Sequence, residues 1–169
     1  MAHRRLATAR RSTGRAPRRT PAGDAVSAVA VQVLRLAGML LEAGDALAAP
    51  AGQTSARWRV LAAVEDAPAT VATVARALGQ ARQSVQRVAD LLAAEGLAAY
   101  VDDPGDRRAM LLRLTARGRS TLRAIQEAQR GWADALGATV GGRDLAAASV
   151  TLARLTDALI GERAGERAG

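Results

Sequence analysis

The stretch from Ser84 to Gly118 constrains the fold more than any other part of the chain. Residues 84–95 have the apolar spacing of a helix and are followed by Gly96, which suits the position after a helix C-terminus. Two apolar runs, residues 98–101 and 109–114, then flank a turn of Asp, Pro and Gly, which favours an antiparallel β-hairpin. The order predicts a helix leading into a hairpin whose tip carries arginines, a shape suited to contacting two DNA grooves.

A shorter helix precedes this stretch and completes a second pattern. Residues 71–78 are helical by spacing, and Gly79 ends them shortly before the next helix starts. Two helices joined by a short turn that contains Gly form a helix-turn-helix, whose second helix enters the major groove of DNA. The outer face of that second helix carries side chains that can contact bases and phosphates: Arg82, Gln83, Ser84, Gln86 and Arg87. The alternative is an ordinary solvated helix face.

Composition points to a mostly helical protein and gives little support to catalysis. The aromatic residues are only Trp58, Tyr100 and Trp132, so Ala, Leu and Val must build the core, which favours helix packing. Cysteine is absent and the one histidine is His3 near the N-terminus, so thiol and histidine chemistry have almost no groups to use. We therefore expect no catalytic residues, no metal site and no cofactor.

Charge is distributed unevenly along the chain. The formal net charge is +8, and residues 1–23 contribute most of it, with seven arginines and no acid. Without apolar periodicity, this segment is predicted to be a disordered arm, either attached electrostatically to DNA or simply solvated. A secretion signal is disfavoured, because Arg35 interrupts the following apolar run and no small-residue cleavage motif follows. We expect a cytoplasmic protein without a membrane-spanning segment.

Apolar stripes at both ends of the chain predict a dimer. Residues 24–48 form a long amphipathic helix within a segment, 24–50, that ends at Pro50. Thr115 can cap a second helix that reaches residue 140, and a third covers residues 143–160, before a frayed tail at 161–169. A winged domain of about 65 residues is too small to bury these stripes, so we expect a second copy to cover them. The alternative is a monomeric helical bundle.

The turn and the strand after it carry a family resemblance. Residues 102–118 read DDPGDRRAMLLRLTARG, which resembles the wing signature of MarR-type transcriptional regulators, D-x-x-D-R-R-A followed by L-T-x-x-G. The upstream LGQARQSVQR and LLAAEGL resemble that family's recognition helix and its exit, so the motif match spans residues 54–118. One departure is that Gln80 and Ala81 stand where many members have a Ser or Thr cap, which leaves Ser84 as a possible later cap.

The resemblance implies a winged helix-turn-helix domain at residues 54–118, flanked by dimerisation helices at 24–50 and 119–160. It further implies a homodimer that binds double-stranded DNA at a pseudo-palindromic operator and often releases it when a lipophilic ligand binds. By position, the wing residues Asp106, Arg107 and Arg108 match the family pattern. We expect Asp106 to hold the Arg108 guanidinium in one rotamer, so that Arg108 can enter the minor groove.

An effector pocket is expected where the dimerisation helices meet the DNA-binding domain, since a ligand acts only through unequal affinity for two arrangements. Candidates for contact with a small aromatic or lipophilic effector are Met39, Trp58, Leu61 and Trp132, although such residues usually just pack in a core. The rival function is a sequence-tolerant architectural DNA-binding protein anchored by the arginine-rich arm.

Overall fold

A computed structural model of the chain describes residues 20–166. This part is mostly helical and contains one small antiparallel sheet, in agreement with the predicted fold class. A short 3-10 helix, Ala49–Ala51, follows the first α-helix. The α-helices and strands are α1 Pro21–Ala48, α2 Ser55–Ala63, β1 Ala69–Thr70, α3 Val71–Ala77, α4 Arg82–Ala94, β2 Ala98–Asp103, β3 Asp106–Leu114, α5 Ala116–Val140 and α6 Gly142–Glu166.

The chain divides into two compact units at Leu40, within the length of α1. Of the predicted disordered arm, residues 1–19 lie outside the described part, but residues 21–23 were placed in it wrongly, because they belong to α1. In the first unit, large apolar side chains of α1 are exposed to solvent, and Leu34 retains 75% of its accessible surface. The apolar helical segment Pro21–Ala51 is also long enough to cross a membrane by length and composition, and its qualifying 18-residue window has no residue buried in the protein.

The last turns of α1 belong to the second unit and pack on α2. Gly44 is buried beside Ser55, so close that a Cβ would lie 3.0 Å from the Ser55 Cβ. The Asp45 carboxylate accepts a 2.6 Å hydrogen bond from the Ser55 backbone N–H, and this bond lowers the Asp45 pKa below its usual value. Thr54 caps α2 in turn by accepting from the Arg57 backbone N–H. These hydrogen bonds therefore join the end of α1 to the start of α2.

The helix-turn-helix is built from α3 and α4, with α2 packed against them. Thr70 caps α3 through its side chain, and Gly79 makes the turn with a positive φ of 62°. The α4 helix begins at Arg82 after Ala81, which offers no side-chain cap, so the suggestion that Ser84 caps the helix was wrong. Fully buried aliphatic side chains lock these helices to the sheet, among them Val60, Leu61, Val74, Val85, Leu92, Leu97, Leu112, Leu114 and Leu122.

The sheet has three strands in the order β1-β3-β2, one strand more than the predicted hairpin. The additional strand, β1, pairs Ala69 with Leu112 and Thr70 with Leu111. Both hairpin strands also run further than expected, which reduces the predicted charged loop to a tight turn at residues 104–105. The wing is consequently a nearly continuous ribbon that is tied at its base to the start of α3.

The C-terminal helices follow the wing directly. Thr115 caps α5 by accepting from the Gly118 backbone N–H at 3.0 Å, and its hydroxyl donates to the Gly96 carbonyl at 2.7 Å. The α6 helix continues to Glu166, beyond the predicted end at Ile160, so residues 161–166 are helical rather than frayed. Exposed apolar side chains persist along both helices, including Leu136, Val140, Leu145, Val150, Leu159 and Ile160.

Candidate nucleic-acid interface

The N-terminal half of α4 carries the polar face expected of a recognition helix. Val85, Ala89 and Leu92 turn inward and are completely buried, which fixes the opposite face of the helix toward solvent. The predicted reading residues on that face are all exposed except Gln86, which is half-buried: Arg82, Gln83, Ser84, Gln86 and Arg87. The helix thus presents two guanidinium groups and two amides within its first two turns.

The wing and α4 line one open groove. Its volume is about 590 Å³, and it brings Arg82 and Gln86 of the helix together with Arg108 of the wing. The remaining lining comes from the start of α3 and the middle of the wing: Thr70, Val71, Ala72, Tyr100, Ala109 and Met110. Two arginines from separate elements therefore converge on a concave surface, which concentrates positive charge in a domain whose overall charge is small.

The wing turn is organised by its own carboxylates. Asp103 Oδ1 accepts from the Gly105 backbone N–H at 2.8 Å, and Asp106 Oδ1 accepts from the Arg108 backbone N–H at 2.9 Å. The expectation that Asp106 would hold the Arg108 guanidinium was wrong, since its carboxylate is bound to the backbone instead. The predicted wing contact Arg107 has a side chain that lies outside the described part of the chain.

These local bonds change the role of the acids in the turn. A carboxylate that accepts a backbone N–H two residues ahead stabilises a turn and is partly neutralised by that dipole. Arg108 is exposed, and the structure shows no ion pair between its guanidinium and the Asp106 carboxylate. Its guanidinium is consequently available to an outside anion.

A hydrogen-bonded triangle links α4 to the wing. The Gln86 side-chain N–H group donates to Asp90 Oδ1 and to the Tyr100 hydroxyl oxygen, both at 2.8 Å. The Tyr100 hydroxyl donates to the same Asp90 oxygen at 2.7 Å. Partial burial and the bond to the Asp90 carboxylate raise the pKa of Tyr100 to about 12. The phenol therefore stays protonated at neutral pH and continues to donate.

Sequence reasoning missed Asp90 and Tyr100 as residues of this surface. A usable signal existed for one of them, since residues 86 and 90 are four apart and share a helix face. Tyr100 offered a weaker signal as the only tyrosine in the chain. Its meeting with α4 depends on the register of β2, in which Tyr100 pairs with Leu112.

A second set of polar contacts fixes the C-terminal end of α4. Arg57 of α2 forms a 2.8 Å ion pair with Glu95, and a second bond joins the same two side chains at 3.1 Å. The Arg117 guanidinium of α5 donates to the Glu95 backbone carbonyl at 3.0 Å. The C-terminal end of α4 is thereby attached to α2 and to α5.

The residues predicted to line an effector pocket lie in different surroundings. Leu61 is fully buried in the core and Trp58 packs against that core, while Trp132 is half-buried on α5. Met39 is 58% exposed and belongs to the first unit. Packing alone accounts for Leu61 and Trp58, so the pocket stays a prediction.

The chain matches the MarR family model over residues 51–109, which include the helix-turn-helix and most of the wing. It is also 44% identical over 104 residues to the uncharacterised protein Rv2011c of Mycobacterium tuberculosis, covering 62% of this chain and 73% of the relative. The chain belongs to the MarR family. This agrees with the resemblance found in the wing signature, and it makes the protein a MarR-family transcriptional regulator with a winged-helix fold.

Solved structures support the fold. The chain is similar to the transcriptional repressor CouR bound to a 23-mer DNA duplex, with a TM-score of 0.70, 25% identity and coverage of 82% of this chain and 99% of that one. It is also similar to CouR from Rhodococcus jostii RHA1 bound to p-coumaroyl-CoA, with a TM-score of 0.66, 22% identity and coverage of 73% and 88%. These MarR-like neighbours are transcription regulators rather than enzymes.

Proposed function

We propose that this MarR-family regulator binds a pseudo-palindromic operator as a homodimer and represses transcription by occupying it. The observation that carries this proposal is the groove in which Arg82 and Gln86 of α4 meet Arg108 of the wing. A helix and a hairpin that share one basic concavity match the two-groove contact of winged-helix proteins. The structural similarity to a DNA-bound repressor supports the same use of this surface.

Each element of the interface has a distinct task in this proposal. Arg82, Gln83 and Arg87 read base edges and phosphates in the major groove from the exposed face of α4, with Ser84 beside them. Arg108 enters the adjacent minor groove, where shape and negative potential matter more than base identity. Arg107 is proposed as a further wing contact, and Asp106 shapes the turn without touching DNA.

Dimerisation rests on the uncovered apolar side chains of α1, α5 and α6. Val31 and Leu34 of α1 are 64% and 75% exposed, and on α6 Val150 and Ile160 are 61% and 62% exposed. Apolar surface of this extent is seldom left open to water in a soluble protein. A second copy of the chain covers it in a two-fold arrangement, which also places two recognition helices about 34–36 Å apart, one turn of DNA.

A membrane is the other medium that could cover α1, because this helix passes the length and composition test for a span. Two observations favour the second copy. Arg35 lies in the middle of the helix, where a charge costs about 2.5–3.5 kcal/mol in a bilayer. Near the C-terminal end of α1, the Asp45 carboxylate accepts a hydrogen bond from the backbone N–H of Ser55, the first residue of α2. We therefore place the protein in the cytoplasm.

The regulator is further proposed to respond to a small aromatic or lipophilic effector. CouR, a structural neighbour, has been solved with p-coumaroyl-CoA bound. Trp58 and Trp132 are the side chains of this chain best suited to stack on an aromatic ligand. An effector that binds the free dimer more tightly than the DNA-bound dimer would release the operator.

The alternative function, that of a sequence-tolerant architectural DNA-binding protein, depends on a different part of the chain. It requires the seven arginines of residues 1–23 to supply most of the affinity. Deleting residues 1–20 would then abolish binding at all salt concentrations. Operator recognition predicts a modest loss that is the same for every DNA sequence, together with a smaller salt dependence.

The test of the proposed function is selection of random double-stranded DNA on the purified full-length chain. We expect enrichment of one inverted repeat, and elution of the bound pool by some members of a panel of small aromatic compounds. An Arg82→Ala, Arg87→Ala double variant should fail to enrich that repeat while retaining the unfolding transition of the native protein. A pool that stays random after repeated rounds would contradict operator recognition.

A further inference from the structure

The hydrogen-bonded triangle determines which part of Gln86 is available to DNA. A free glutamine reads adenine in the major groove by using its N–H group and its carbonyl oxygen together. Here the amide nitrogen faces Asp90 and Tyr100, at 2.8 Å from an oxygen of each. The group left for an outside partner is the carbonyl oxygen, which can only accept a hydrogen bond.

The orientation of the amide follows from the chemistry of its partners. Asp90 is a carboxylate and can only accept, and the Tyr100 hydroxyl already spends its proton on Asp90 at 2.7 Å. Turning the Gln86 amide over would leave the single Tyr100 hydroxyl proton to serve three oxygens that lie within 2.8 Å of one another. The alternative orientation is therefore excluded for as long as both partners are present.

Position supports a role in recognition rather than in packing alone. Gln86 lines both the groove shared with the wing and the shallower surface formed with Arg82, Gln83 and Arg87. Asp90 is exposed on the same helix face, one turn further along. A carboxylate on a DNA-facing helix repels phosphate, and its use as the anchor for Gln86 gives it a function there.

We propose that Tyr100 and Asp90 are positioning residues that restrict Gln86 to accepting a hydrogen bond from DNA. Gln86 then selects a base with an exocyclic amine in the major groove, cytosine or adenine, at one position of each half-site. It cannot make the two-point adenine contact. This inference rests on the proposed function, because it concerns which base the same interface reads.

The first measurement needs no DNA. Tyr100 is the only tyrosine, so ultraviolet titration of tyrosinate reports this residue alone. We expect a pKa of about 12 in the wild type and a fall toward 10 in Asp90→Ala. An unchanged titration in Asp90→Ala would show that the triangle does not exist in solution and would overturn the inference.

The second measurement compares selected DNA pools from three full-length proteins. The wild type should enrich adenine or cytosine at one position of each half-site, and Gln86→Ala should lose that preference while keeping the rest of the operator. In Tyr100→Phe, Asp90→Ala, the released amide can make both adenine bonds, so adenine should gain over cytosine by up to about tenfold.

The outcomes separate the two proposals. Identical base preferences in the wild type and Gln86→Ala, or in the wild type and the double variant, would overturn the inference while leaving operator binding intact. Failure of the wild type to enrich any sequence would remove the proposed function, and with it the reading role of Gln86. A merely structural role for Tyr100 predicts weaker binding of every sequence without a change at one base.

Discussion

Gly118 makes a close contact that leads to a sharp prediction for stability. It lies in the first turn of α5, where a Cβ would collide with the Leu97 carbonyl oxygen and lie 2.9 Å from the carbonyl carbon. That oxygen accepts from the Thr115 backbone N–H at 3.1 Å and lies 3.1 Å from the Thr115 hydroxyl, whose single proton it shares with the Gly96 carbonyl at 2.7 Å. Substitution to Ala must therefore move backbone that joins the wing to α5.

The magnitude follows from these contacts. Weakening two hydrogen bonds costs about 1–3 kcal/mol, and forcing a methyl group into a filled site costs about 1–3 kcal/mol more. The better helix propensity of Ala returns about 1 kcal/mol, so Gly118→Ala should lower the free energy of unfolding by about 1–5 kcal/mol. Urea unfolding followed by circular dichroism, at one fixed protein concentration, measures the change.

The same helix supplies a matched control. Gly131 also lies within α5, but a Cβ there would meet no other atom within 4 Å. Gly131→Ala should therefore stabilise the protein by about 0.5–1 kcal/mol. Equal effects of the two substitutions, or a Gly118→Ala protein as stable as the wild type, would refute the close approach of α5 to the wing.

Three further predictions concern the interface, the dimer and pH. Arg108→Ala should weaken binding to the selected operator by about tenfold or more in a gel-shift titration with no change in unfolding midpoint; unchanged affinity would remove the wing contact. Leu36→Glu should convert the dimer to a monomer in analytical ultracentrifugation, and a retained dimer mass would argue against the α1 interface. Because folding raises the Tyr100 pKa from 10.0 to about 12, its stabilising contribution is present below pH 10 and is lost as pH rises toward 12. The Tyr100→Phe variant should therefore lose less of its free energy of unfolding than the wild type as the pH rises from 10 toward 12. Identical pH profiles of the free energy of unfolding in the two proteins would contradict this prediction.

Periodicity was sufficient to predict most of the fold. The helices, the hairpin and the Thr115 cap were predicted because each depends on residues close together in sequence. The strand β1 was missed because two residues carry no periodicity, and Ala69 and Thr70 are recognisable only through their pairing with Leu112 and Leu111. The wing strands were predicted too short because Asp residues are typical of loops. Asp103 and Asp106 instead accept hydrogen bonds from backbone N–H groups of the turn, and both strands extend as far as these residues.

The candidate site shows the same division between local and distant information. The exposed face of α4 follows from one helical stripe, so its polar residues were identified from the sequence. Only one of the two hydrogen-bond partners of Gln86 could have been predicted from the sequence. Asp90 lies on the same helix, whereas Tyr100 lies on a strand and is 14 residues away in sequence. The predicted contact between the Asp106 carboxylate and the Arg108 guanidinium was wrong, because the carboxylate accepts from the Arg108 backbone N–H. A spacing of two residues permits either contact, so the sequence alone does not distinguish them.

The proposed two-fold dimer reads two half-sites on one face of DNA, so its affinity depends on the spacing between those half-sites. The measurement is a gel-shift titration of the selected operator beside a copy with about five base pairs inserted at its centre, which rotates one half-site by about half a turn. We expect the insertion to reduce the affinity of the protein for the duplex to that for a single half-site. Equal affinity for the two duplexes would contradict the dimeric reader.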